Sequence, residues 1–525
     1  MRWGAGTKRR RYVAAILTVF AGVLVLAGGS SEVTRAATPP RTVAPTTPAH
    51  SHAPGARSRR PNIVFVLTDD LSRDLVPFMP QVQAMKEHGL SFDNYFVSDS
   101  LCCPSRASIF TGNFPHDTHV LGNTLPAGGF AKFYRRGEQH VAFNVTLHHA
   151  GYATAMMGKY LNGYLEPGYD QARASYVPPG WTEWDVAGWG YPEFNYPMNI
   201  DGTVHYFGDK PRDYLTNVLA RRGVDFIDRE ARAHRPFFLE LATFAPHYPY
   251  TPAPRDARDF PGLLAPQPPN FDVLPTNPPR WLAGHPPLSA KKLTTINTAF
   301  RKRAQSVQAV DRMISRVDHA LAVNHVARDT YVVFSSDNGL HTGEYRLTPG
   351  KLTAFDTDIR VPLVVAGPGV PVDSRTGLFA ENIDLAKTFD AIAQAKPHPD
   401  DGVSLLPVWH GKKPRNWQDA ALIEHSGPTT NPRDPDFQNY DSANPTSYEA
   451  IRTKQFLYVE YRNGQREFYN LRTDPYELHN VADRLTAGQR ATLHSELIRL
   501  ENCHTSAACQ AGARLPQLAD PPSWR

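Results

Sequence analysis

Asn62-Ile-Val-Phe-Val-Leu-Thr-Asp-Asp70 is the stretch from which the fold is read. The run from Asn62 to Leu67 lacks polar alternation, as expected of a strand buried on both faces of a parallel sheet, and it stops at Thr68 and two carboxylates. Far downstream the same grammar returns. Thr330-Tyr-Val-Val-Phe-Ser335 is a β-branched and aromatic run ending at Ser336-Asp337-Asn338-Gly339, and residues 311–323 before it carry a helical period. Further strands are expected at residues 236–244, followed by Ala245-Pro-His-Tyr-Pro-Tyr250, and at residues 361–365, with a helix over 383–395. Alternating helices and strands predict an α/β domain. Ligands of open α/β sheets collect at the carboxyl ends of strands, so the two distant acidic strand ends are expected to meet at one site. Toward the C-terminus, Phe456–Glu460 and Glu467–Leu471 flank Asn463-Gly464, a hairpin signal that predicts a small antiparallel sheet.

Outside this body the chain changes texture. Arg9, Arg10 and Arg11 precede an apolar run from Tyr12 to Ala27 and then small residues, the layout of a secretory signal over 1–37. A twin-arginine route and an uncleaved anchor are the alternatives at this point. Residues 38–60 are rich in Pro, Thr, Ala and Arg without an apolar period and read as a disordered linker. No later segment is long and apolar enough to span a bilayer, so a secreted or cell-surface protein with no stable span after cleavage is expected. The 525 residues carry a net charge of only +5, part of it in the opening segment, which gives no footprint for nucleic acid. The 47 prolines imply long, stiff loops. Of the four cysteines, Cys503 and Cys509 are close enough to close a small disulfide loop in a tail over 503–525. Cys102 and Cys103 are adjacent, a poor arrangement for pairing with each other.

Those two cysteines sit in Leu101-Cys-Cys-Pro-Ser-Arg-Ala-Ser-Ile-Phe-Thr-Gly112. Pro104 suits the first turn of a helix that Ser105 to Phe110 continue, which puts residue 102 near a helix N-terminus whose amides favour an anion. Arg106 adds a fixed positive charge. Asp69, Asp70, Asp337 and Asn338 offer only hard oxygen ligands, suited to Ca²⁺, with Mg²⁺ as the alternative, and unsuited to zinc.

The segment C-x-P-S-R-A, counted from Cys102, resembles the signature of the sulfatase family, in which this cysteine is oxidised to formylglycine by a formylglycine-generating enzyme. The resemblance runs from about Pro61 to about Asp483 and includes Gly158-Lys-Tyr-Leu-Asn162, Pro246-His-Tyr-Pro249, Gly350-Lys351 and Phe355-Asp-Thr-Asp-Ile-Arg-Val-Pro362. It implies an alkaline-phosphatase-like fold: a large mixed, mostly parallel sheet sandwiched by helices over 61–410, and a smaller C-terminal antiparallel-sheet subdomain over 411–502. It also implies a calcium ion held by Asp69, Asp70, Asp337, Asn338 and the modified Cys102. Lys159 then binds sulfate, His247 contacts it or acts as an acid, and Lys351 lies near the bridging oxygen. His341 is the other imidazole beside the metal segment, as proton donor, substrate contact or structural histidine. One departure stands out: many sulfatases have a histidine two residues after the first lysine, where this chain has Leu161 and then Asn162.

Within the family, Cys-Cys-Pro-Ser-Arg106, Pro-Pro-Gly-Trp181 and Phe194–Gly202 look most like N-acetylglucosamine-6-sulfatases and related heparan-sulfate sulfatases, implying a sulfated, glycosaminoglycan-like saccharide as substrate. Trp181, Trp184, Trp189, Tyr191, Phe194 and Tyr196 suit either a sugar face or the packing of a long loop. Glu424, His425 and Tyr440 are candidates for a pocket rim. A metal-dependent phosphoesterase on the same architecture and a non-catalytic glycan-binding protein are the rival readings.

Overall fold

In the computed structural model, residues 60–166, 173–432, 434–515, 518 and 520–523 are described. The signal over 1–37 and the linker over 38–59 lie outside them. Ten strands form the main sheet: β1 (Asn62–Thr68), β2 (Leu90–Phe96), β3 (Ala153–Lys159), β4 (Glu183–Ala187), β5 (Pro197–Ile200), β6 (Thr203–Tyr206), β7 (Phe237–Ala242), β8 (Thr330–Ser336), β9 (Leu363–Ala366) and β10 (Ser374–Glu381). Their order across the sheet is β10-β2-β9-β8-β1-β7-β3-β4-β5-β6. The four central strands β8, β1, β7 and β3 run parallel, whereas β9 and β5 run against them. The sheet is mixed and mostly parallel, as the sequence predicts.

Strand β1 shows why a two-sided apolar run belongs in the centre. Ile63, Phe65 and Leu67 point into a core with Phe143, Phe238 and Phe389, while Val64 and Val66 point into another with Val307, Val310 and Ile314. In β8, Tyr331 and Val333 join the first core and Val332 and Phe334 the second, the period-2 alternation of a sheet packed on both faces. A 34-residue helix, Ala290–Val323, covers the second face; Ser289 caps it by accepting from the Lys292 amide at 3.3 Å. Ile296, Phe300, Ala304, Val307, Ile314, Val317 and Leu321 are its buried stripe. Helices Cys102–Thr111, Phe143–His149 and Asp384–Ala393 cover the first.

The C-terminal hairpin also forms. Strands β11 (Ala420–His425), β12 (Tyr448–Thr453), β13 (Phe456–Tyr461) and β14 (Arg466–Asn470) make a separate antiparallel sheet in that order, and Gly464 adopts φ 82° in the tight Asn-Gly connection. One face, with Ala421, Ile423, Leu457 and Val459, joins the first core of the main sheet. On the other, Leu422, Ile451, Tyr458 and Phe468 meet Leu493, Leu497 and Leu500 of helix Ala487–Glu501. A disulfide joins Cys503 and Cys509 just beyond it. No helix among the described residues is long and apolar enough to cross a membrane.

Candidate active site

Adjacency of β8, β1, β7 and β3 brings their carboxyl ends together. Asp69 and Asp70 follow β1, Asp337 and Asn338 follow β8, Lys159 ends β3, and His247 lies five residues beyond β7. Asp70 holds φ at 61°, which turns the chain sharply at the strand end and aims successive carboxylates at one point. Gly158, at φ 105°, is required where β3 passes β7, since a Cβ there would collide with the carbonyl oxygen of Ala242.

Helix Cys102–Thr111 begins at the cysteine and is buried throughout. Cys102 Sγ lies 3.1 Å from Asp69 Oδ1, and Lys351 Nζ lies 2.9 Å from the same sulfur. Three cations each meet a carboxylate. Lys159 Nζ donates to Asp69 at 2.6 Å, Lys351 Nζ to Asp70 at 2.6 Å, and Arg106 Nε to Asp337 at 2.7 Å. Arg106 Nη1 also donates to the Lys159 carbonyl at 2.9 Å, so the helix and β3 are tied through one guanidinium. Asn338 Nδ2 donates to Asp70 Oδ1 at 2.6 Å.

Burial and charge act in opposite directions on these groups. Burial pushes Asp69 up to about 6, outweighing Lys159. For Asp337 burial again pushes upward, but Arg106, Lys159 and Lys351 prevail and hold it at about 2. The Cys102 thiol is driven well up by burial and by Asp337, Asp436 and Asp69. An ordinary thiolate nucleophile is therefore strongly disfavoured here. Both nitrogens of His247 face acceptors, the Tyr248 carbonyl at 2.7 Å and Asp436 Oδ1 at 2.7 Å, the geometry of an imidazolium. Burial lowers its affinity for the proton, yet Asp70, Asp69 and Asp436 raise it to about 9.

The donor set fits a hard divalent cation. Asp69 and Asp70 place carboxylate oxygens within 4.8 Å of one another, of Cys102 Sγ and of His247, whose protonated ring is not itself a ligand, and Asp337 Oδ1 accepts from the Asp70 amide at 3.2 Å. Asn338 Oδ1 is buried beside them without a hydrogen-bond partner among the described residues, an orphaned acceptor that a cation would satisfy.

The sequence leaves open the roles of His341, the aromatic segment and the rim candidates, which the structure places by their contacts. The His341 ring hydrogen-bonds Asp358 at 3.0 and 3.1 Å, and its backbone pairs in both directions with Gly350. It thereby braces the loop that carries Lys351, and its bonds run to Asp358, not to Cys102. Among the aromatics, Trp184 and Tyr196 are fully buried packing residues, and Trp184 Nε1 donates to the Tyr164 hydroxyl at 2.8 Å. Only Tyr191 turns to the site, 4.6 Å from the His247 ring and 5.1 Å from Lys159 Nζ, centroid measured. At the predicted rim, Glu424 pairs with His116 at 3.0 Å, His425 is buried, and Tyr440 is exposed and stacked on His285.

Sequence reasoning missed Asp436. It accepts from His247, from Lys351 Nζ at 2.6 Å, from Asn123 Nδ2 at 2.6 Å and from Asn162 Nδ2 at 3.1 Å. The Asp434-Pro-Asp436 context carries turn chemistry alone, and no local signal announces an inward carboxylate.

Residues 61–395 match the sulfatase family profile. The chain belongs to the sulfatase family. Residues 343–503 of this sulfatase also match the profile of the N-sulphoglucosamine sulphohydrolase C-terminal region. The human N-acetylglucosamine-6-sulfatase is 33% identical over 494 residues, covering 89% of this chain and 88% of that protein. An arylsulfatase of Volvox carteri is 30% identical over 509 residues, covering 85% and 75%. A solved structure in complex with its substrate D-glucosamine-2-N,6-O-disulfate superposes with TM-score 0.70 at 22% identity, covering 86% of this chain and 98% of that one. The phosphonate monoester hydrolase of Agrobacterium radiobacter shares the fold at TM-score 0.62 and 20% identity, covering 84% and 95%. The family profile and the sulfatase relatives make this chain a sulfuric ester hydrolase.

Proposed function

We propose that this sulfatase removes a 6-O-sulfate from an N-acetylglucosamine-type residue of a glycosaminoglycan-like saccharide, outside the cytoplasm, using formylglycine at position 102 and Ca²⁺. The observation that carries the reading is the pairing of Cys102, at the start of its helix, with Lys351 and Asp69 at hydrogen-bond distance. The resemblance of Gly158–Asn162 and Phe194–Gly202 to N-acetylglucosamine-6-sulfatases supports the substrate, as does the name of the human relative.

Asp69, Asp70, Asp337, Asn338 and the modified residue 102 would hold the cation, which supplies polarisation of the sulfuryl oxygens when bound. Formylglycine supplies a hydroxyl nucleophile in place of the disfavoured thiolate. Arg106 fixes Asp337 in orientation and adds positive charge behind the helix N-terminus. Lys159 and Lys351 neutralise the charge that grows on the sulfuryl group. His247, doubly protonated, gives its Nε2 proton to the departing sugar oxygen. Tyr191 and Asn162 border the leaving-group side. The boundary near residue 410 divides a catalytic domain from a C-terminal subdomain, and residues 1–37 direct export.

Peptide mass spectrometry across Cys102, coupled to an assay on 6-sulfated N-acetylglucosamine, tests the reading. Loss of the thiol mass together with sulfate release is expected. Full activity in Cys102→Ala, or an unmodified cysteine in active protein, refutes it.

A further inference from the structure

Cys102, Lys159, His247 and Lys351 are 0, 2, 4 and 1% exposed, so a saccharide cannot reach them unless something moves aside. The group lying on the cations is Asp436, itself 2% exposed. One of its oxygens accepts from both His247 Nε2 and Lys351 Nζ, and the other accepts from Asn123 and Asn162. Four donors thus hold this carboxylate, and two of them, His247 and Lys351, lie in the cluster around Cys102 Sγ. Within its segment Asp434 and Asp436 are buried, whereas Phe437, Asn439 and Tyr440 are exposed. Asp434 Oδ1 accepts from the Asp436 amide at 3.0 Å, which sets the inward aim.

Charge decides what this arrangement means. Four carboxylates, Asp69, Asp70, Asp337 and Asp436, face four cations, Arg106, Lys159, Lys351 and His247. Three of the carboxylates stand in the donor set for a cation. Asp436 instead contacts only hydrogen-bond donors, the partners an incoming sulfate ester needs. A monoanionic ester that replaced the monoanionic Asp436 would leave the charge of the site unchanged. Binding beside a retained Asp436 would set two anions a few Å apart in a buried space, where like charges repel strongly.

We propose that Asp436 is a tethered anion that occupies the sulfate seat of the resting enzyme, and that substrate enters by displacing it as the 434–441 segment swings outward. The proposal rests on the sulfatase reading of this same site and adds a competitor built into the chain. Covering the seat with a carboxylate keeps free anions off the cations, and a saccharide with further contacts outside the seat can outcompete it.

The test titrates calcium-loaded protein with inorganic sulfate by calorimetry, comparing wild type with Asp436→Asn, which keeps the shape and loses the charge. Sulfate affinity is expected to rise tenfold or more in D436N, with KM for an aryl sulfate falling in parallel. Unchanged or weaker sulfate binding, or a raised KM, overturns the proposal, the latter by making Asp436 a substrate contact. Hydrogen exchange on the wild-type chain needs no variant: saturating sulfate should speed exchange in the peptide spanning 434–441, and unchanged or slower exchange overturns it. If the protein hydrolysed no sulfate ester, the functional reading would fail, but the titration and the exchange experiment would still report on Asp436.

Discussion

Replacing Arg106 by Met keeps the length of the side chain and removes its charge from a fully buried site. The guanidinium is fully buried, and Nε stands 2.7 Å from Asp337 Oδ2. At 2.7 Å and an effective dielectric of about 20, the attraction is about 6 kcal/mol. Desolvation offsets part of that, and breaking one side of a buried pair characteristically costs about 3–5 kcal/mol, because the abandoned carboxylate has no water to turn to. R106M is therefore expected to lose about 3–5 kcal/mol of stability in metal-free buffer, and D337N a similar amount. The double variant should recover about 2 kcal/mol or more relative to the sum, since it buries neither charge alone. Urea unfolding followed by tryptophan fluorescence reads all four corners of the cycle. Losses that add within about 0.5 kcal/mol would falsify the pairing as an energetic unit.

Chelation by EGTA should abolish sulfate-ester hydrolysis and lower the melting temperature, with calcium restoring both; at a hundredfold excess over Kd the metal contributes about 2.7 kcal/mol, visible by scanning calorimetry. His116, whose side chain is 15% exposed, donates to Glu424 and to the Cys503 carbonyl. Burial disfavours its charge, but Glu424 wins and raises its pKa to about 9. Because the folded value exceeds the unfolded one, its contribution is fully present below pH about 6.5 and fades as pH climbs through about 9. His116→Gln should accordingly flatten the stability profile over that window by on the order of 1–3 kcal/mol, measured by denaturant midpoints. Reducing the Cys503–Cys509 bond, whose sequence separation is 6, should lower stability by about 2 kcal/mol, read as a dithiothreitol-dependent melting shift that Cys503→Ser with Cys509→Ser reproduces.

Features written locally in the chain were legible from it. The two-sided runs at 62–67 and 330–335 and the acidic residues after them locate the centre of the sheet, because a buried parallel strand leaves little freedom of composition. The cysteine segment is read for the same reason, since Pro, Ser and Arg at fixed offsets specify a helix start and a charge. What escaped depends on tertiary placement. Asp436 reaches His247 across 189 residues, and its neighbourhood reads as an ordinary turn. For His341 the sequence leaves donor, substrate-contact and structural roles open, because the partner that holds its ring, Asp358, comes 17 residues later. The aromatic segment was ambiguous because stacking on a sugar and packing a loop use the same side chains, and burial alone tells them apart.

The sealed position of Cys102 sets a schedule. With the sulfur 0% exposed, an enzyme that must take this residue into its own cleft can act only while the polypeptide is still open. Ser105 meets Asp337 across 232 residues, so the roof over the cysteine is missing until most of the chain has been synthesised. At roughly 5–20 residues per second, that interval lasts about 10–50 seconds. On the proposed conversion of Cys102 to formylglycine, oxidation would race against folding, and a variant that folds faster around β1 and β8 is expected to mature less completely.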